Sequence, residues 1–141
     1  MNFVFKSAED SPGFLLWQLT NQWQQQQRSA LRPLDLTHAQ FVALAGILWL
    51  NNHFENGASQ VQVAEFTGID KMMMSDLVKT LILKKLINRE KHKEDKRAYC
   101  LNLTSKGHGV ILKAIPIVEG IDARFFNKEN TVLSLFLKSL K

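Results

Sequence analysis

The fold of this chain is decided by the stretch from Val61 to Gly107, VQVAEFTGIDKMMMSDLVKTLILKKLINREKHKEDKRAYCLNLTSKG. It contains a short helical pattern, a turn at Thr67-Gly68 and a second helical pattern. A charged hairpin follows, and then a step into another helix. Two helices joined by a turn and followed by a two-stranded wing form an arrangement suited to docking on a DNA duplex.

Positive charge is concentrated in the same stretch. Between residues 84 and 97, seven Lys and Arg outweigh three Asp and Glu, which accounts for +4 of the net charge of +5. A basic charge confined to one short segment is typical of contact with a polyanion. A solvated hairpin would give the same pattern, so the charge alone leaves both interpretations open.

Length and composition indicate one globular domain, residues 1–141, with 45% hydrophobic residues. No apolar run approaches the roughly 18 residues of a membrane span, and the N-terminus lacks the pattern of a signal peptide. The lone Cys100 excludes an internal disulfide and favours inert packing over redox sensing. We therefore expect a cytoplasmic protein without a membrane partner.

Cap residues and periodicity divide the chain into a mainly α fold with a small β-hairpin wing, in the order α-α-α-α-β-β-α-α. We expect Pro116 to kink or split the fifth helix. The predicted starts and ends are Ser11-Pro12 for the first helix, Thr37 for the second, Ser59 or Gln60 to Gly68 for the third, Asp70 for the fourth, residues 87–89 and 98–103 for the strands, Thr104 or Ser105 to about 126 for the fifth helix, and about 128 onward for the sixth.

The fourth helix has one apolar and one exposed face at about 100° per residue. The apolar face, predicted to be core, consists of Met74, Leu77, Val78 and Leu81. The opposite face is available to a partner and consists of Met72, Asp76 and Lys79, flanked by Met73, Ser75 and Thr80.

Both ends of the chain are more apolar than a small domain requires. We therefore predict that residues 1–32 and 105–141 are dimerisation helices around a winged helix-turn-helix lobe at 36–104, although packing of the terminal helices within one chain is the alternative. The apolar residues concerned are Phe3, Val4, Phe5, Phe14, Leu15, Leu16, Ile111, Ile115, Ile117, Val118, Ile121, Phe125, Phe126, Val132, Leu133, Leu135, Phe136, Leu137 and Leu140.

These features together resemble the MarR family of winged-helix transcriptional regulators. The similarity covers nearly the whole chain in element order and is most specific between residues 61 and 107. The matching residues are Leu36-Thr37, Gln40-Phe41, Val63-Ala64, Gly68-Ile69, Ser75, Leu77-Val78, Leu81, Leu86-Ile87, Arg89, Asp95, Arg97, Leu103-Thr104 and Gly107. The resemblance implies a homodimer whose fourth helix enters the major groove, whose wing reaches the minor groove, and which in many members responds to a small aromatic ligand.

The candidate DNA contacts follow from residue chemistry. Helix N-termini favour phosphate, Arg97 suits a narrow minor groove with Asp95 orienting it, and wing lysines add affinity without sequence information. Lys79 suits a phosphate or a guanine edge. The predicted contacts are Ser59, Gln60, Gln62, Lys71, Met72, Met73, Ser75, Asp76, Lys79, Lys91, Lys93, Asp95, Lys96 and Arg97.

Two features depart from the common family pattern. Residues 72–74 are all methionine where small polar residues are frequent, so Met72 or Met73 either touches thymine methyl groups or fills the surface. Asp76 either accepts from a cytosine amino group or pairs with Lys79 three residues later, and we favour the pair. The base-reading residues are therefore the least typical part of the motif.

Aromatic and histidine side chains on the first two helices are candidates for an effector pocket, with ordinary core packing as the alternative. They are Trp17, Trp23, His38, Trp49 and His53. We predict no catalytic site, metal or cofactor, because the histidines lack paired metal-ligand spacing and no nucleophile or phosphate-loop motif occurs.

The sequence therefore predicts a ligand-responsive repressor that binds a pseudo-palindromic operator in double-stranded DNA as a homodimer. The alternatives are a winged-helix protein-interaction module and a small-molecule sensor, neither of which would bind DNA.

Overall fold

A computed structural model describes residues 2–91, 99–126 and 130–141, with side chains left out at 130–132. Six α-helices and a three-stranded sheet follow one another along the chain. Their bounds are α1 Pro12–Leu31, α2 His38–Asn51, β1 Ala58–Ser59, α3 Gln60–Thr67, α4 Lys71–Leu83, β2 Ile87–Lys91, β3 Tyr99–Leu103, α5 Ser105–Phe125 and α6 Asn130–Ser139, with short 3₁₀ turns at Ala8–Asp10 and Arg32–Leu34.

Side-chain caps fix the starts of the principal helices, as the sequence predicts. Ser11 Oγ accepts from Phe14 N at 3.3 Å at the start of α1. Thr37 Oγ1 and the Gln40 side chain form a reciprocal capping box at α2. Thr104 Oγ1 accepts from Gly107 N at 3.0 Å at the start of α5. Each cap satisfies an amide that has no partner inside its helix.

The wing sheet has three antiparallel strands in the order β1-β3-β2, one more than the sequence predicts. β3 pairs with β2 from Ile87 opposite Leu103 to Lys91 opposite Tyr99. The unpredicted strand, β1, is only two residues long and pairs Ala58 with Leu101. So short a strand carries no alternation of apolar and polar residues, and its pairing comes from tertiary contact.

Asn51, at the end of α2, connects the helical lobe to this sheet. Its Nδ2 donates to Leu101 O at 2.9 Å and to Asn102 Oδ1 at 3.3 Å. Its Oδ1 accepts from Ala58 N at 2.8 Å. One half-buried amide therefore links the middle strand, the edge strand and the helix.

The core lies where α2, α4, α5 and the sheet meet. Cys100 is buried beside it, and burial raises the pKa of its thiol, which favours the unreactive form. The fully buried large side chains are Leu31, Leu44, Ile47, Met74, Leu81, Ile87, Leu101, Ile111, Gln27, Val63 and Val78.

The terminal helices divide into buried and exposed apolar residues. α5 buries Ile111, Val118 and Ile121. These three are therefore core residues and do not belong to the exposed apolar surface predicted for dimerisation. Pro116 is predicted from the sequence to kink or split this helix; α5 continues through it as one helix, so no split occurs there. The exposed large apolar residues of the chain ends are Phe3, Val4, Phe5, Phe14, Leu15, Leu16, Trp17, Leu19, Leu112, Leu135, Phe136, Leu137 and Leu140.

Across residues 2–91, 99–126 and 130–141, no single helix is long and apolar enough to cross a membrane. One bent pair, Pro12–Leu34 with His38–Asn51 at 77°, meets those criteria by length and composition only. Within the same residues, no group of three or more His, Cys, Asp or Glu side chains is positioned to hold a metal ion.

Candidate nucleic-acid interface

The turn between α3 and α4 sets the direction of the fourth helix. Gly68 ends α3 in the left-handed region at φ 74°, and its N–H donates to Ala64 O at 2.9 Å. Thr67 Oγ1 donates to Val63 O at 2.7 Å and accepts from Ile69 N at 3.3 Å. The turn is therefore held by a glycine that tolerates positive φ and by one threonine hydroxyl.

The inner face of α4 packs into the core as predicted. Met74, Val78 and Leu81 are fully buried, and Leu77 is partly buried against them. Burying each large apolar side chain stabilises the fold by about 2 kcal/mol, in the range 1.5–3, so these residues hold the helix firmly to the lobe. A helix anchored in this way presents its outer face in one orientation.

The outer face of α4 is exposed along its whole length. Lys71, Met72, Asp76 and Lys79 lie in solvent, and Met72 is 80% exposed. The favoured pairing of Asp76 with Lys79 is wrong, since within the described part of the chain only Lys84 and Asp35 form an ion pair. A surface pair of this kind contributes little free energy, so neither side chain is held toward the other.

The side chains at the two helix starts are already engaged in caps. Asp70 Oδ1 accepts from Met72 N at 2.9 Å and Met73 N at 3.2 Å. Ser59 Oγ accepts from Gln62 N at 3.2 Å, and Gln62 Oε1 accepts from Ser59 N at 2.9 Å. A phosphate at either start would therefore approach capped amides, and at α4 it would also face the carboxylate of Asp70.

Gln60 connects α3 to the wing. Arg89 donates to Gln60 Oε1 at 3.3 Å, and the Arg89 guanidinium carbon lies 5.8 Å from the centre of the Tyr99 ring. Arg89 is absent from the predicted contact set, although it enters the wing as a cation in the family motif. It adds an exposed positive charge between α3 and the base of the wing.

The wing itself is described only at its base. Lys91 is the last described residue of β2 and is exposed. The predicted contacts Lys93, Asp95, Lys96 and Arg97 lie outside the described residues.

Trp23 and His38 lie together at the junction of α1 and α2. Their rings meet edge to face at 4.9 Å, and Trp23 Nε1 donates to Asp122 Oδ1 at 2.7 Å. Burial lowers the pKa of His38, while the Asp122 charge opposes the shift. Gln27 Nε2 also donates to Asp122 Oδ1, at 2.9 Å. Asp122 therefore orients the indole from α5.

The Trp23–His38 cavity is a space of about 510 Å³ beside this pair. Its volume falls in the range of small-molecule sites, and apolar side chains supply part of its wall. α4 contributes Met73 to this wall, which the sequence does not predict, because there Met73 is a candidate for thymine contact or for filling the surface. The lining residues are Trp23, Gln24, Arg28, Thr37, His38, Ala39, Val42, Ile69 and Met73.

The other three candidate pocket residues do not join this cavity. Trp17 is 67% exposed near the start of α1. Trp49 and His53 stack at 4.6 Å at the far end of α2. Trp49 lines a separate apolar groove of about 330 Å³ with Phe66. The five predicted residues are thus divided among three places.

Comparison with known proteins agrees with this architecture. Residues 33–119 match the family model described as ArnR1-like, winged-helix domain. The uncharacterized HTH-type transcriptional regulator YdcH of Bacillus subtilis (strain 168) is 42% identical over 135 residues, covering 93% of this chain and 91% of the relative.

Solved structures share the fold at lower identity. CouR from Rhodococcus jostii RHA1, bound to p-coumaroyl-CoA, has a TM-score of 0.82 and 24% identity and covers 96% of this chain and 93% of its own. A MarR variant from E. coli complexed with operator DNA has a TM-score of 0.79 and 21% identity, with 91% of each chain covered. The S. aureus MepR–DNA complex has a TM-score of 0.78 and 22% identity, covering 96% of this chain and all of its own.

Proposed function

The chain belongs to the MarR family of winged-helix transcriptional regulators, and we propose that it binds a pseudo-palindromic operator as a homodimer and represses transcription until a small ligand releases it. The family is one of regulators and not of enzymes. A protein that acts on an operator shares its compartment with the chromosome, so we propose the cytoplasm as its location.

The exposed outer face of α4 is the observation that carries DNA binding. Lys71 and Lys79 lie there on a helix whose opposite face is anchored in the core, so the outer face is free to enter a major groove. Met72 and Met73 offer apolar contact to thymine methyl groups, and Asp76 offers an acceptor to cytosine. The structurally similar MarR and MepR chains are bound to DNA in their own structures.

The wing extends this contact. We assign Lys91, Lys93 and Lys96 to backbone phosphates and Arg97 to the adjacent minor groove, with Asp95 orienting it. At the helix starts, Ser59, Gln60, Gln62 and Ser75 remain candidates for phosphate. Because the side chains of Ser59 and Gln62 already accept from each other's backbone amides, we expect a phosphate to contact only their remaining exposed atoms.

The exposed apolar residues of α1 and α6 support dimerisation. Phe14, Leu16, Leu135 and Phe136 are each at least 42% exposed, and large apolar patches on monomers are uncommon. A two-fold contact built from both chain ends would cover them and set the spacing of the two α4 helices at about 34 Å or a multiple of it.

The Trp23–His38 cavity supports ligand control, because it joins α1 to the start of α4. Trp23 belongs to the proposed dimerisation region, while Ile69 and Met73 belong to the DNA-binding lobe. A ligand held between them would favour one angle between the two parts. It can change DNA binding only if its affinity differs between the DNA-binding conformation and the released one. The structurally similar CouR chain is bound to p-coumaroyl-CoA in its own structure.

Salt dependence of DNA affinity tests the proposed function. Fluorescence anisotropy on a mixed-sequence duplex should give a linear fall of log affinity with log salt, with a slope near −0.9 per phosphate contact. Lys71→Ala and Lys79→Ala should each reduce that slope by about 0.9, or leave it unchanged where the lysine contacts a base. Lys113→Ala, on the exposed side of α5, is the control and should leave the salt slope unchanged. Weak affinity that does not vary with salt would instead favour a protein-interaction module.

A further inference from the structure

A second cavity, of about 230 Å³, lies beside the junction of α1 and α2, and three of its six lining residues are cations. We call it the basic cavity. Its lining residues are Arg28, Arg32, Asp35, Leu36, Thr37 and Lys84. Three positive side chains and one carboxylate leave this small space with an excess of two positive charges.

Lys84 and Asp35 largely neutralise each other. Lys84 Nζ lies 3.5 Å from Asp35 Oδ2 and also donates to Asp35 O at 2.6 Å and Gln40 Oε1 at 3.0 Å. These contacts fix Lys84 on the wall of the cavity. Among the residues that line the cavity, two positive charges, those of the exposed Arg28 and Arg32, therefore remain without a carboxylate partner.

The two arginines lie one helical turn apart at the end of α1. Within the described ranges, neither has a carboxylate within 4.0 Å. Both side chains are exposed, and like charges four residues apart on a helix destabilise it by about 0.2–0.5 kcal/mol. An anion between the guanidinium groups would remove the repulsion and accept paired hydrogen bonds from them.

The basic cavity adjoins the Trp23–His38 cavity, since Arg28 and Thr37 line both. One molecule can therefore place an apolar body against Trp23 and a charged group against Arg28. Two uncompensated positive charges are balanced by two negative charges, which a phosphate monoester carries near neutral pH and a carboxylate does not.

We propose that the effector is an apolar, ring-sized compound that carries a dianionic phosphate group, with the ring in the Trp23–His38 cavity and the phosphate between Arg28 and Arg32. This inference rests on the effector role proposed above. It adds the chemical class of the ligand and two residues, Arg28 and Arg32, that select it.

Three naphthalene probes with one ring system and different charges test the proposal by calorimetry on the intact protein without DNA. At 0.15 M salt, 1-naphthyl phosphate should bind roughly 10-fold tighter than 1-naphthoate, and 1-naphthol should bind most weakly, because charged hydrogen bonds are the stronger ones. Equal affinity for the phosphate and the carboxylate, or no binding of the phosphate up to millimolar concentration, would overturn the proposal.

Variants assign the charge discrimination to the basic cavity. Arg28→Gln and Arg32→Gln should each lower affinity for 1-naphthyl phosphate by about 10-fold. Arg32 lines only the basic cavity, so Arg32→Gln should leave affinity for 1-naphthol unchanged. Arg124→Gln, at an exposed arginine near the end of α5, should change neither affinity. Loss of naphthol binding in the Arg32 variant would mean a structural role and would refute the charge assignment.

DNA affinity of the same variants separates this proposal from the function on which it rests. Without ligand, Arg28→Gln and Arg32→Gln should bind duplex as the unaltered protein does. If they bind DNA more weakly with a smaller salt slope, the arginines contact DNA phosphates and the effector assignment is overturned. If no protein binds DNA while charge discrimination persists, only the proposed function fails.

Discussion

Replacing Gly107 by Ala should destabilise the protein, whereas the same change two residues later should stabilise it. A Cβ at Gly107 would lie 2.0 Å from Leu86 O, while real Cβ atoms stay beyond 3.0 Å, so one of two backbones must move by about 1 Å. Leu86 O is held in place because it also accepts from Thr104 N at 3.0 Å. The first turn of α5 and the residue before β2 would therefore be forced apart.

The magnitude follows from two opposing effects. Overpacking against backbone costs about 3 kcal/mol, the upper end of the usual range, because no rotamer can relieve it. Alanine recovers about 1 kcal/mol of helix propensity, so Gly107→Ala should lower the free energy of unfolding by about 2 kcal/mol. Gly109 has nothing within 4 Å of a built Cβ, so Gly109→Ala should raise that free energy by about 0.4–1 kcal/mol.

Urea denaturation at one fixed protein concentration measures both variants against the unaltered chain. The midpoint should fall for Gly107→Ala and rise for Gly109→Ala at an unchanged slope. A fall of similar size for both would refute the close approach of α5 to Leu86 as the cause. An unchanged midpoint for Gly107→Ala would mean that the helix start gives way freely.

Three further predictions concern caps, the buried amide and pH. Asp70→Ala should lower the free energy of unfolding by about 1 kcal/mol through loss of two cap bonds to α4, and Asp70→Asn should retain most of it; equal losses in urea melts would point to charge instead. Asn51→Ala should cost about 1–3 kcal/mol because the buried Ala58 N–H loses its partner, while Asn52→Ala at the exposed neighbouring position should cost little, and a reversed order would contradict the link. Burial lowers the folded pKa of His38 below 6.5, so unfolding takes up a proton and stability should fall as pH drops below about 6.5. Calorimetric melts of His38→Gln should lack that part of the fall. Identical pH profiles for the two proteins would exclude His38 as its source.

The sequence predicts the helical part of this fold well because its signals are local. Ser11, Thr37, Asp70 and Thr104 each form a cap with an amide two or three residues away, and periodicity correctly identifies the buried face of α4. Such contacts need no knowledge of distant chain segments.

The features that the sequence does not predict depend on distant contacts. β1 forms only because β3 lies beside it, and Asn51 donates to Leu101, which lies 50 positions away along the chain. The predicted Asp76–Lys79 pair shows the converse, since correct spacing on an exposed helix does not bring two solvated charges together. Aromatic residue types identified Trp23 and His38, but only packing separates them from Trp17 and Trp49.

The proposed function requires that two copies of α4 read two half-sites of one operator. Selection of bound duplexes from a random pool by the full chain tests this requirement. We expect enrichment of a pseudo-palindrome whose half-site centres lie about 10 base pairs, or a multiple of one helical turn, apart. A pool that stays random after repeated selection, or enrichment of an unpaired half-site, would contradict the dimeric operator-binding account.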